Sequence, residues 1–186
     1  MSKDGYLIKD LTVNNAALKR LVKVYIWQRR TNSQVWDDYF RNLPDLQSAI
    51  RRAALALGPD NKVHPHQQLI KKTVRQQVAD CLVKKEATLR ICKDFEEIMA
   101  IVTRCGKHGF GKLAIYDTAQ RIGERLGISP ERVYLHRGTK TGAKNLGLDT
   151  SRGYLLKDEL PEPLQELEPD EIESFLCIFK DKFTLN

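Results

Sequence analysis

A mostly α-helical single domain with an acidic C-terminal arm is the fold the sequence predicts, and three observations predict it. Apolar residues recur at three- and four-residue spacing through most of the chain, the pattern of helices with one buried face. Asp, Ser and Pro stand where helix starts need them, and Gly- and Asn-containing stretches punctuate the periodic segments. The chain has 186 residues, 41% hydrophobic and 30% charged, enough for one core that closes without disulfides or a metal. These figures argue against wholesale disorder, collagen-like repeats and a disulfide scaffold.

The elements follow in order. From Asn14 to Arg30, Leu18, Leu21, Val22, Tyr25 and Ile26 define one apolar helical face, with Lys19, Arg20, Lys23, Arg29 and Arg30 on a solvated basic side. A second helix covers Ser33 to Arg41, where Val35, Trp36, Tyr39 and Phe40 form a buried aromatic cluster. Asn42-Leu43-Pro44 interrupts it. A third helix runs from Asp45 to Leu57, with Leu46, Ile50, Ala53, Ala54 and Leu57 facing inward. Gly58-Pro59-Asp60-Asn61 is a turn by composition, and the polar loop continues through His64-Pro65-His66.

One long helix is expected over Gln67 to Lys93, its stripe marked by Ile70, Val74, Val78, Cys81, Leu82, Leu89 and Cys92. Asp94 then caps a helix from Phe95 to Arg104, and Glu97 three residues later completes a capping-box pattern. A Gly-punctuated loop, residues 106–112, leads to a helix with Ile115, Ala119, Ile122 and Leu126 in its stripe. In the tail, Asp170-Glu171 opens a last helix with negative charge at its positive end, and Ile172, Phe175, Leu176 and Phe179 pack it onto the body. The expected organisation is a helical basic body over residues 1–157 and an acidic linker plus helix over 158–186.

Charge points to a class of partner. The chain carries 31 Lys and Arg against 24 Asp and Glu, a formal net charge of +7. Residues 101–157 hold 11 basic and 4 acidic side chains, whereas residues 158–182 hold 2 basic and 9 acidic. A basic body favours a polyanion, DNA first, with RNA not separated from it by charge. A protein-interaction module that meets an acidic partner is the plainer alternative. No apolar run approaches the ~20 residues that cross a bilayer. MSKDGYLIKD lacks an apolar signal core. No membrane association and a cytoplasmic setting are therefore expected, with the four cysteines as reduced thiols.

The segment that carries the functional argument is residues 95–136. A helix, the loop Gly106-Lys107-His108-Gly109-Phe110-Gly111-Lys112 and a second helix follow one another. A turn reading Gly, apolar residue, Gly lets bare backbone amides at a helix N-terminus meet a phosphate oxygen. Phe110 is expected to plug the core between the helices, Lys107 and Lys112 to add long-range attraction, and Gly111 to hold a conformation or a close backbone approach that a Cβ would obstruct. These 42 residues resemble the helix-hairpin-helix superfamily, with Gly109-Phe110-Gly111 as its hairpin. The resemblance implies contact with the nucleic-acid backbone without sequence reading.

Pressed toward the DNA glycosylases of that superfamily, the resemblance breaks at the catalytic positions. The stretch Val133-Tyr134-Leu135-His136 has Tyr134 where those enzymes carry Asp, and Leu113 stands where bifunctional members carry a nucleophilic Lys. A non-enzymatic DNA-binding accessory or regulatory protein of bacterial type is the expectation. A glycosylase- or lyase-like enzyme with displaced catalytic groups is the alternative.

Two further readings overlap this one. Residues 122–133 look like a helix-turn-helix, with Gly127 at the turn, Ser129 capping a recognition helix, and Arg132, Tyr134 and Arg137 toward the major groove. Residues 137–147 interleave Gly and Thr with Arg137, Lys140 and Lys144, the composition of a phosphate cradle or of a basic loop before a short helix. The expected nucleic-acid contacts are thus Lys107, Gly109, Gly111, Lys112, Arg132, Arg137, Lys140 and Lys144. No cofactor or metal is expected, since no cysteine pair has Cys-x-x-Cys spacing. His64-Pro65-His66 reads as a polar loop capping a helix, and Asp117 as a residue placed for the helix dipole.

Overall fold

The structure, a computed structural model, describes residues 15–183. Its regular elements are α1 (Asn15–Tyr25), α2 (Thr31–Arg41), α3 (Leu46–Leu55), α4 (Lys72–Val83), α5 (Glu86–Arg90), α6 (Phe95–Cys105), α7 (Lys112–Leu126), β1 (Val133–Tyr134), α8 (Arg137–Asn145), β2 (Tyr154–Leu155) and α9 (Pro169–Phe179). Short 3-10 and π turns join some of them. The fold is mostly α, as the periodicity predicts. No helix among the described residues is long and apolar enough to cross a membrane. The described residues form two compact units, 30–131 in one and the flanking segments 15–29 and 132–183 in the other.

The central unit, residues 30–131, contains α2 to α7. Its core joins Phe40, Ile50, Ala53, Val78, Leu82, Leu89, Phe95, Ile98, Val102, Ala119 and Ile122, all fully buried. Local signals set its helix starts. The Asp45 carboxylate accepts the Ser48 amide at 2.6 Å to open α3. Asp94 accepts the Glu97 amide at 2.8 Å to open α6, while Glu97 reaches back to the Lys93 amide. The α3 helix ends on Ala56 in the left-handed region, φ 57°.

Three expectations for this unit need correction. Val35 is 55% exposed and not part of the aromatic cluster, where Trp36 stacks on Phe40. The single helix over Gln67 to Lys93 is three pieces: a 3-10 turn Pro65–Gln67, then α4, then α5. Arg75 accounts for the break before α4, because its side chain, buried to 8% exposure, donates to the Leu55 carbonyl at 2.6 Å and the Ile70 carbonyl at 3.2 Å. The Ile70 carbonyl, just before α4, needs no helical partner once the guanidinium serves it, and the Leu55 bond ties the same side chain to the end of α3. The break after α4 is a tightened turn, with the Lys85 amide on the Leu82 carbonyl at 2.9 Å, and it keeps both Leu82 and Leu89 in the core.

The third correction concerns the thiols. Packing of α4 on α6 brings Cys81 and Cys105 to a Cα separation of 5.7 Å, and the two form a disulfide; Cys92 and Cys177 are free. Thiol titration of the unfolded, unreduced protein should therefore find two reactive cysteines and not four. The pairing closes 24 residues of chain, so reduction is expected to cost about 3 kcal/mol in urea unfolding at neutral pH.

The other unit is built around α1, α8 and α9. Leu18, Val22 and Tyr25 of α1 meet Ile172, Phe175 and Leu176 of α9, Ala143 and Leu146 of α8, and Val133 of β1 in one buried cluster. Tyr25 and Phe175 make an edge-on ring pair at 5.8 Å. Strands β1 and β2 pair antiparallel, Val133 opposite Leu155 and Tyr134 opposite Tyr154. This pairing overturns the helix-turn-helix reading: residues 128–136 contain no helix, and the position assigned to a recognition helix is a bend followed by β1. Gly127 does end α7, at φ 72°. Beyond it the β-branched Val133 and the aromatic Tyr134 join a ladder that the Leu135 amide extends to the Gly153 carbonyl at 2.9 Å.

The phosphate-cradle reading of residues 137–147 is overturned as well. These residues are helix α8 and its end, and its glycines serve close packing. A Cβ on Gly142 would stand 2.1 Å from the Leu176 carbonyl oxygen, and one on Gly138 would stand 2.4 Å from the Cys177 sulfur. Thr139, fully buried, donates to the Glu173 carboxylate at 2.5 Å.

Candidate functional site

The α6–α7 connection is a short turn between two helices, and its special backbone conformation falls on Gly109 and not on Gly111 as the sequence suggests. After α6, Gly106 turns the chain with its amide on the Thr103 carbonyl at 3.1 Å, and the Phe110 amide returns to the Lys107 carbonyl at 2.8 Å. Gly109 adopts φ 87°, a conformation that side chains other than Gly rarely hold. Phe110 is 6% exposed and enters the core of the central unit. Gly111 is the N-cap of α7 and has no side chain to satisfy the first amides of the helix. Its own φ is −74°, and a Cβ there would meet nothing within 4 Å. The conformational demand thus rests on Gly109, and Gly111 matters for the open space it leaves before the helix end.

No acidic residue lies in the first turn of α7. Lys107, His108 and Lys112 are exposed around the turn. Neither lysine forms an ion pair among the described residues. The positive end of this 15-residue helix carries no side-chain cap, and exposed Lys107 and Lys112 flank the turn that leads into it. Such a surface attracts an anion.

The remaining expected contacts are carried by the other unit. The Arg132 guanidinium lies over the Tyr154 ring at 4.8 Å, with Arg152 over the same ring at 5.2 Å. Arg137 and Lys144 are exposed on α8 and Lys140 is half-buried. At three- and four-residue spacing these three define a basic side of α8, opposite the Gly138, Gly142 and Ala143 side that packs on α9.

A second constellation lies further along α7, and the sequence reading missed it. Asp117 is one and a half turns beyond Lys112, and Arg121 is one turn beyond Asp117. Against them stands the loop His64-Pro65-His66-Gln67. Gln67, 2% exposed, donates from Nε2 to Asp117 Oδ2 at 2.7 Å and accepts from Arg121 Nη1 at 2.8 Å. Arg121 Nη2 lies 3.6 Å from the same Asp117 oxygen. Trp36 forms the wall: the Arg121 guanidinium sits over its ring at 5.2 Å, and His64 meets it edge-on at 4.9 Å. One ring nitrogen from each of His64 and His66 and one Asp117 oxygen lie within 4.8 Å of one another.

Burial sets the electrostatics here. It pushes the Asp117 carboxyl above its ordinary range, against the pull of Arg121 and His66, and it pulls the Arg121 guanidinium down against Asp117. Burial, then the Arg121 charge and the His66 ring, push His64 down to about 4. The only sequence signal for this cluster is the His-Pro-His pair, because Asp117 lies about fifty residues away in the chain. Comparison of the chain with protein-family models, with curated proteins and with solved structures finds no match in any of the three.

Proposed function

We propose that this protein binds the sugar–phosphate backbone of nucleic acid, duplex DNA in the first place, through the α6–α7 hairpin, without catalysing a reaction on it. The observation that carries the reading is the uncapped N-terminus of α7 behind Gly109-Phe110-Gly111, flanked by exposed and unpaired Lys107 and Lys112. Phe110 locks the turn into the core, so the amides are held in place before a ligand arrives. Contacts of this kind are made with phosphate oxygens and are blind to base sequence.

Substitution at Gly111 separates this reading from a plain connector. Gly111→Asp supplies the missing cap: its carboxylate takes the first free amides and complements the helix dipole, which should raise stability by a few tenths of a kcal/mol to about 1 kcal/mol. The same carboxylate occupies the place of the phosphate and repels it, so binding to duplex DNA should fall sharply. Stability and affinity moving in opposite directions is the expected result. Lys112→Ala should keep the fold and weaken binding to all sequences alike, lowering the salt slope by about one. If both variants bind as the parent does while substitution of Arg137, Lys140 and Lys144 abolishes binding, the hairpin is a connector and α8 is the interface.

A further inference from the structure

We infer that His64, His66 and Asp117 form a binding site for a divalent transition-metal ion of the zinc type, with a coordination position left open. Two imidazoles and one carboxylate are a ligand set that suits zinc and its neighbours, whereas calcium and magnesium favour all-oxygen shells. The three ligand atoms already lie within 4.8 Å of one another. Zinc bonds of about 2.0–2.2 Å set tetrahedral ligand separations near 3.4 Å, so each side chain needs to close by about an ångström or less. His66 is exposed, with its ring edge-on to the His64 ring at 4.9 Å.

The outer shell supports the assignment independently. Ligating carboxylates and imidazoles are ordinarily held by hydrogen bonds or packing from behind. Here Gln67 and Arg121 both address Oδ2 of Asp117 and leave the other carboxylate oxygen without a hydrogen bond among the described residues. Gln67 is fixed in turn by Arg121, and the His64 ring is oriented by Trp36. A Cβ on Gly58 would stand 2.6 Å from the Trp36 ring, so the wall itself is tightly seated. Three protein ligands leave a fourth position for water or an anion. With Arg121 offsetting Asp117, an ion adds a net positive charge of two, which favours an anionic fourth ligand such as hydroxide, carboxylate or a phosphate oxygen. The site stands on its own geometry and does not depend on the nucleic-acid reading.

Isothermal titration of the chelator-treated full chain with Zn2+ alone, with Mg2+ alone as the control, tests the inference. One Zn2+ per chain is expected, with no heat from Mg2+. His66→Ala, an exposed position whose loss leaves the core intact, should weaken Zn2+ binding by more than the about ten- to hundred-fold that loss of an outer-shell partner costs. Asp117→Asn should weaken it too, with circular dichroism as the check that this variant is folded. Cys92→Ser and Cys177→Ser should change nothing, and the absorption spectrum of the Co2+ form should lack thiolate charge transfer. No Zn2+ uptake by the folded parent, uptake unchanged in His66→Ala, or uptake lost in the cysteine variants would each overturn it.

Discussion

Arg121→Met should lower the unfolding free energy by about 3–5 kcal/mol, the cost of stranding one member of a buried charge pair. Arg121 is 8% exposed and faces Asp117, Gln67 and the Trp36 ring at once. Its removal leaves a buried carboxylate without its neutralising charge and the Gln67 carbonyl oxygen without a donor. Replacing both partners, Arg121→Met with Asp117→Leu, should restore only part of the loss, because no charge is left buried alone while Gln67 loses both of its side-chain partners. Urea unfolding of the two single variants and the double variant makes a double-mutant cycle. A coupling well above 1 kcal/mol is expected. Additive losses would mean that the two side chains stabilise the unit separately.

Gly142→Ala should destabilise strongly, against the helix propensity of the change. Propensity alone favours Ala over Gly in a helix by about 1 kcal/mol. The added Cβ, however, would stand 2.1 Å from the Leu176 carbonyl oxygen and 2.8 Å from its carbon. Both are backbone atoms of α9 and cannot swing aside, so α8 has to move off α9 at a cost of about 3 kcal/mol or more. Gly138→Ala makes the informative comparison: its nearest obstacle is the Cys177 sulfur at 2.4 Å, a side-chain atom that a rotamer change can move. Gly142→Ala should therefore lose clearly more stability than Gly138→Ala in matched thermal melts. Equal stability of the two would show that the α8–α9 contact is looser than the structure has it.

These two cases show which features the sequence made legible. Features fixed within one turn of chain could be read directly. The Asp94 and Glu97 cap, the Gly127 end of α7, the burial of Phe110 and the stripe of α7 each depend on residues at most four apart. Features fixed by a distant neighbour could not. Gly138 and Gly142 look like a phosphate loop until α9 lies across them, since small residues serve close packing and ligand approach equally well. Val133 looks like the inner side and Tyr134 like the groove-facing side of a short helix until β2 pairs with them. The Cys81–Cys105 bond and the grouping of His64, His66 and Asp117 arise only when α4 meets α6 and the loop before α4 meets α7. The hairpin reading put the demand for a bare backbone on Gly111, but the left-handed residue is Gly109, at φ 87°, while Gly111 sits at φ −74° with open space around it.

Fluorescence anisotropy of a labelled duplex, titrated with the full chain across a salt series, tests the central claim most directly. Each phosphate neutralised contributes about −0.9 to the slope of log K against log salt. Lys107 and Lys112 alone therefore predict a slope of about −2, with the same affinity for duplexes of unrelated sequence. A folded protein that fails to bind duplex DNA at low salt, or binds it without salt dependence, would contradict the account.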